Sequence, residues 1–222
     1  MKMKKDVYEL TNPQKNIWEL EQINGNGTPV NHIFSMLKLK GNLDEKLLDK
    51  TLNKIIEQND SFRLKFIRNG NNLQQYIEDY KYIPIEIKHF YTEDISNAVT
   101  EYQNLELSLD DLFRFCIVLT PEHSYVFYKA HHIVTDAWGS TKVAEQIKDF
   151  YEKLSKNSSP ESFEKPSYIN FINREQAYIN SNKYDLDKQF WSEYVSKLST
   201  TKLFKNSNLQ KKRETLFSTF RR

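Results

Sequence analysis

FRFCIVLTPEHSYVFYKAHHIVTDAW, residues 113–138, contains two apolar runs joined by Pro121-Glu122-His123. So short a connection folds the runs back on each other as an antiparallel strand pair. Both runs, 113–120 and 124–132, are apolar nearly throughout rather than alternating, as strands are when both faces of their sheet are covered. The second strand is therefore expected at the centre of the sheet, with His131 and His132 at its C-terminal end. From residue 137 to 154 the period becomes helical, with Val143, Ile147, Phe150, Tyr151 and Leu154 as the buried stripe.

Upstream, residues 12–22 form a short helix, with Asn12 as cap, Pro13 at the first helical position and Ile17 and Leu20 at helical spacing. Residues 30–41 read as a strand ending at the turn signal Gly41-Asn42. Residues 43–58 carry the clearest amphipathic stripe: Leu43, Leu47, Leu48, Thr51, Leu52, Ile55 and Ile56. SFRLKFI (61–67) alternates as a strand with Phe62, Leu64 and Phe66 on one face. NGNN (69–72) is a hairpin turn into a strand at 73–78, IPIEIKHF (83–90) is a further strand, and 92–105 a helix. After the polar linker 155–166 come two aromatic helices, near 167–180 and 185–198, then a polar tail expected to end in a strand. This order predicts an α+β fold, a mixed and mostly antiparallel sheet flanked by helices.

Composition narrows the function classes. Basic and acidic residues nearly cancel, 32 against 30, so no charge excess calls for nucleic acid or an anionic membrane. No apolar run reaches the roughly 18 residues of a membrane span, and the basic start MKMKKD lacks the apolar segment of a signal peptide, so a cytoplasmic location is expected. Cys116, the single cysteine, lies inside FRFCIVL and reads as a core residue. Arg63, Arg68, Arg114 and Arg174 stand among many lysines, so an internal arginine is expected to have a specific bidentate partner.

Successive strand residues point to opposite faces, so His131 and His132 cannot share one pocket if the strand continues through both. One is expected inward, the other toward a cleft, with Asp136 swung back by the turn and favoured near the start of the next helix. The residues leave three readings: a metal site, structural histidines at a strand end, or a general base. Adjacent histidines on a strand chelate one ion poorly, and no His-x-x-x-His exists, so no metal is expected. No serine sits in a nucleophile elbow and no glycine-rich phosphate loop occurs, so catalysis would be direct transfer between two bound substrates.

The pattern His-His-x-x-x-Asp-Ala-Trp resembles the condensation domains of nonribosomal peptide synthetases, in the chloramphenicol acetyltransferase-like superfamily. Three further segments follow in the family's order. YELTNPQKNIWELEQ (8–22) is similar to the opening motif through Leu10, Gln14 and Trp18. EQNDSFRLKF (57–66) is similar to the second, with Phe62 and Arg63 in place of its Leu-Arg. SYINFINREQAY (167–178) is similar to the motif after the histidines through Tyr168, with Asn170 and Phe171 replacing the usual Asp and Tyr. DKQFW (187–191) fits the helix that commonly follows.

The resemblance implies that His132 is the active-site histidine and His131 mainly structural. It implies that Asp136 pairs with Arg63 to organise the site. Ala137 stands where glycine is usual and is a candidate backbone contact to the oxyanion; Gly139 stands where serine is frequent. A full condensation domain has two such lobes around a tunnel. The expected organisation is therefore an N-terminal lobe over 1–198 and a tail, 199–222, leading toward a C-terminal lobe that this sequence lacks. The implied activity is amide formation between a donor acyl thioester and an acceptor amine. Both are delivered on the phosphopantetheine arms of donor and acceptor carrier proteins, and the domain binds no cofactor of its own. An isolated lobe is expected to be inactive. The alternatives are a stand-alone trimeric acyltransferase and a non-catalytic module that docks a carrier protein.

Overall fold

Among the described residues the chain runs from β1 (Tyr8–Glu9) and α1 (Asn12–Asn24) to β2 (His32–Lys40) and α2 (Glu45–Gln58). A 3-10 turn (Asp60–Arg63) leads into β3 (Leu64–Asn69), β4 (Asn72–Ile77), β5 (Glu86–His89) and α3 (Ser96–Asn104). Then come β6 (Phe113–Leu119), β7 (His123–His131), α4 (Ala137–Ser155), α5 (Tyr168–Ile179) and α6 (Asn182–Ser196). The structure is a computed structural model that describes residues 6–24, 31–70, 72–158, 160 and 167–198. The strand expected in the tail and most of the 155–166 linker lie outside the described residues.

The main sheet has the order β2-β7-β6-β5. Both β2 and β6 run antiparallel to β7, whereas β5 is parallel to β6. The expected central, antiparallel β7 is thus found, and the sheet is mixed. Its two strongest strands lack polar alternation because each face is covered. Phe115, Ile117, Leu119, Val126, Tyr128 and Ala130 face α2 and α4. Cys116, Val118, Tyr125 and Phe127, on the opposite face, meet Ala98 and Tyr102 of α3. Cys116 is fully buried, and burial pushes its thiol up to about 11, as suits a core residue.

The second sheet is antiparallel, of order β1-β4-β3, with Asn69 opposite Asn72 at the expected hairpin and Gly70 at φ +61° supplying the left-handed turn residue. Leu10, Leu64, Leu73, Leu112 and Ile133 form the cluster beside it. Here the expected strand at 61–67 is corrected. It begins only at Leu64, because Asp60–Arg63 closes as a 3-10 turn. Phe62 therefore turns away from Leu64 and packs edge-on against Phe113 and Tyr128, ring centroids 4.8 and 5.8 Å distant. The strand expected over 83–90 shrinks to Glu86–His89. Before it, Ile83 and Ile85 are bound instead to α2 side chains: Ile83 N–H donates to Asn53 Oδ1 and Ile85 N–H to Asp49 Oδ1.

The chain forms two compact units, one up to Glu175 and one from Gln176 onward. The second contains α6, capped by Ser181, which accepts from the Tyr184 N–H. No helix among the described residues is long and apolar enough to cross a membrane.

Candidate functional site

The strand β7 ends at His131, opposite His32 on β2. The next residue leaves the sheet: His132 N–H donates to Asn31 O at 2.6 Å, and Val134 N–H donates back to His131 O at 3.1 Å, closing a turn. The two histidines diverge because one ends the strand and the other begins that turn, not because a continuing strand alternates them.

His131 is buried at 1% exposure. Its Nδ1 accepts the Ile133 N–H at 3.1 Å, so the ring proton lies on Nε2, which faces Glu21 Oε1 at 2.5 Å. Burial holds its pKa below the ordinary imidazole value despite the opposing Glu21 carboxylate. His32 packs edge-on against it, centroids 5.4 Å apart, and is lowered by burial and by the charges of His131 and Lys129. His132 is half-buried, and among the described residues its imidazole makes no hydrogen bond. It borders a cavity of about 470 Å³ lined also by Gln14, Tyr128, Asp136, Gln146 and Tyr168.

The lowered values of His131 and His32 give a pH dependence with a definite sign. Each folded pKa lies below the unfolded value, so the unfolded chain takes up protons first on acidification. The stability these groups leave intact above the unfolded value, about pH 6.5, is lost as pH falls through the lower folded values. The urea midpoint is expected to fall between about pH 7.5 and about pH 5.5, and less so in a His32→Phe variant. An unchanged midpoint would contradict neutral buried rings.

The loop after His132 is held by a buried amide pair. Gln14 and Gln75 exchange side-chain hydrogen bonds, both 2.8 Å, and Gln14 Nε2 also donates to Ile133 O at 3.3 Å. Gln14 Oε1 takes the Thr11 N–H as well, and Gln75 Nε2 reaches Glu9 O. The opening motif thus clamps the histidine loop through Gln14. Sequence reasoning missed Gln75 and Glu21. The available signal for Glu21 was an acid three residues after Trp18, on the helix face that packs inward.

Asp136 is exposed and caps α4: its Oδ1 accepts the Gly139 N–H at 2.7 Å. A Cβ on Gly139 would lie 2.6 Å from Thr135 Oγ1, which explains the glycine in that first turn. The expected Arg63–Asp136 pair is not formed. Arg63 Nη2 instead donates to Asp60 Oδ1 at 2.6 Å and Nη1 to Glu78 O at 3.0 Å, while Nε is buried without a partner among the described residues. The reason is local: the 3-10 turn puts Asp60 three residues before Arg63 on the same side, within reach. The other Asp60 oxygen accepts Ser167 Oγ and Tyr168 N–H, each at 3.1 Å, tying the second motif to the start of α5. Tyr168 OH lies 3.5 Å from Thr11 Oγ1, where the opening motif meets the same wall. Ala137, exposed, is the first residue of α4, and the first N–H groups of a helix have no carbonyl partner within it.

Comparison with known proteins adds the family. A family model described as "Condensation domain" matches residues 4–220. Surfactin synthase subunit 1 of Bacillus subtilis (strain 168) is 29% identical over 83% of this chain, which spans 5% of that protein. A plipastatin synthase polypeptide of the same organism is 28% identical over 92% of this chain, which spans 8% of it. The starter condensation domain of rhizomide synthetase superposes with a TM-score of 0.77 at 20% identity, covering 88% of this chain and 49% of that one. The first condensation domain of the calcium-dependent antibiotic synthetase gives 0.74 at 16% identity, with 86% and 48% covered. The fold is thus the chloramphenicol acetyltransferase-like one expected, and the chain spans about half of those solved condensation domains. This chain belongs to the condensation-domain family.

Proposed function

We propose that this chain is the N-terminal lobe of a cytoplasmic condensation domain. In that domain, the amine of a carrier-bound acceptor attacks the thioester of a carrier-bound donor. The observation that carries this reading is the contrast between the two histidines: His131 is locked among buried partners, whereas His132 borders the cavity with its ring free of hydrogen bonds among the described residues. A free α-amine has a pKa of about 7.7–8.0, so a sizeable neutral fraction exists near neutrality and the base has little to do. As the C–N bond forms, His132 takes or orients the amine proton. The C–S bond then breaks, and the departing thiolate of the phosphopantetheine arm takes up a proton. In this reading the N–H of Ala137, the first residue of α4, stabilises the oxyanion. Asp136 organises this end of the site as the cap of α4 rather than as the partner of Arg63.

The test supplies carrier-bound donor and acceptor thioesters to the lobe alone and to the lobe joined to a C-terminal lobe. Amide is expected only from the two-lobe protein. A stable trimer in sedimentation that forms product as a single lobe would favour the stand-alone acyltransferase. Carrier binding without amide from the two-lobe protein would favour the docking module.

A further inference from the structure

We propose that Glu21 is a positioning residue for His132, acting through His131. This rests on the amide-forming role given to His132 above. Two peptide planes set the direction of the His132 side chain. The plane before His132 is fixed by its own N–H, which donates to Asn31 O at 2.6 Å. The plane after it carries the Ile133 N–H, which donates to His131 Nδ1 at 3.1 Å. Once both planes are held, the His132 Cα–Cβ bond is aimed, and only side-chain rotation remains.

The second of these bonds exists only if His131 Nδ1 is unprotonated. A neutral imidazole carries one proton, so it must sit on Nε2, and a buried N–H needs an acceptor. Glu21, on α1, is that acceptor at 2.5 Å, and its side chain is 16% exposed. It reaches His131 from a second cavity, of about 600 Å³, also lined by Trp18, Arg68, Glu106, Asp110 and Asp111. The cavity that His132 borders does not include Glu21. Glu21 thus selects the tautomer, the tautomer accepts the Ile133 N–H, and that bond aims the preceding side chain, His132. The same logic orients histidines whose second nitrogen does the chemistry, here displaced by one residue. Gln14 holds the other end of Ile133 through its carbonyl, so loss of Glu21 frees the N–H while the C=O remains tethered.

The experiment has two readouts. In the lobe labelled with ¹⁵N-histidine, the parental His131 is expected as the Nε2–H tautomer. Glu21→Gln, whose amide oxygen still accepts, should keep it; Glu21→Leu should lose it. In the two-lobe protein, Glu21→Leu is expected to lower kcat about 10²-fold with KM for the carrier-bound substrates unchanged, while Glu21→Gln stays near parental. An Nδ1–H tautomer or an imidazolium at His131 in the parent overturns the proposal, and this parental spectrum decides even if Glu21→Leu does not fold. So does a Glu21→Leu protein with unaltered tautomer and kcat. If Glu21→Leu shifts the tautomer but His132→Ala leaves turnover intact, the amide-forming reading falls and the Glu21–His131 coupling stands.

Discussion

Replacing His132 by alanine is expected to lower amide-forming turnover of the two-lobe protein by about 10²- to 10⁴-fold, the range for loss of a positioned general base. The lower end is favoured, because a thioester is already activated and the acceptor amine is partly neutral near pH 8. A 10²-fold loss is about 2.7 kcal/mol of transition-state stabilisation. It should appear in kcat, with KM little changed, if the ring acts only as the C–N bond forms. Stability should move little, because the half-buried ring holds no hydrogen bond among the described residues. His131→Ala provides the contrast. It strips an acceptor from the Ile133 N–H and the partner from the Glu21 carboxylate in a site 1% exposed, so the fold itself should weaken. Near-parental turnover by His132→Ala, measured with carrier-bound thioesters, would remove this histidine from the mechanism.

The difference between the two histidines was legible in part. Unbroken apolar runs along β6 and β7 announced a sheet covered on both faces, and the abrupt change to helical period at Ala137 located the turn that carries His132. Patterns of this kind depend on local hydrophobic spacing, which a single sequence displays directly. Polar partners are harder. Gln75 is fully buried, yet in LQQYIE it cannot be told from Gln74, which reaches Glu9 at the surface. Lys129 is 1% exposed with its Nζ donating to Gln103 O, although a lysine near a strand end ordinarily reads as solvated. In both cases burial follows from what lies across the sheet, not from neighbours in sequence. The parallel pairing of β5 with β6 was invisible for the same reason, since four residues carry too little pattern to fix a partner. Arg63 departs in the opposite sense: the family resemblance implied a distant aspartate, whereas the partner is three residues away, in a 3-10 turn that the sequence displays as part of an alternating strand.

Asp60→Ala is expected to destabilise the lobe by about 3 kcal/mol, the lower end for leaving one member of a buried ion pair uncompensated, since both side chains retain 17% exposure. Asp136→Ala should cost only about 1 kcal/mol, the loss of an N-cap. The asymmetry follows from what each carboxylate holds. Asp60 accepts from Arg63 through one oxygen and from Ser167 and Tyr168 through the other, so its removal also releases the start of α5, where Tyr168 lines the His132 cavity. Asp136 accepts a single backbone N–H at an exposed helix end. Double-mutant cycles by urea unfolding separate the two partners. Arg63→Ala with Asp60→Ala should fall well short of additive, whereas Arg63→Ala with Asp136→Ala should add to within about 0.5 kcal/mol. Coupling of Arg63 to Asp136 instead would restore the long-range pair that the family resemblance implies. In the two-lobe protein the same substitutions give a functional split. Asp60→Ala should raise KM through the slackened Tyr168 wall. Asp136→Ala should lower kcat, because the cap it supplies fixes the first turn of α4 and with it the Ala137 N–H.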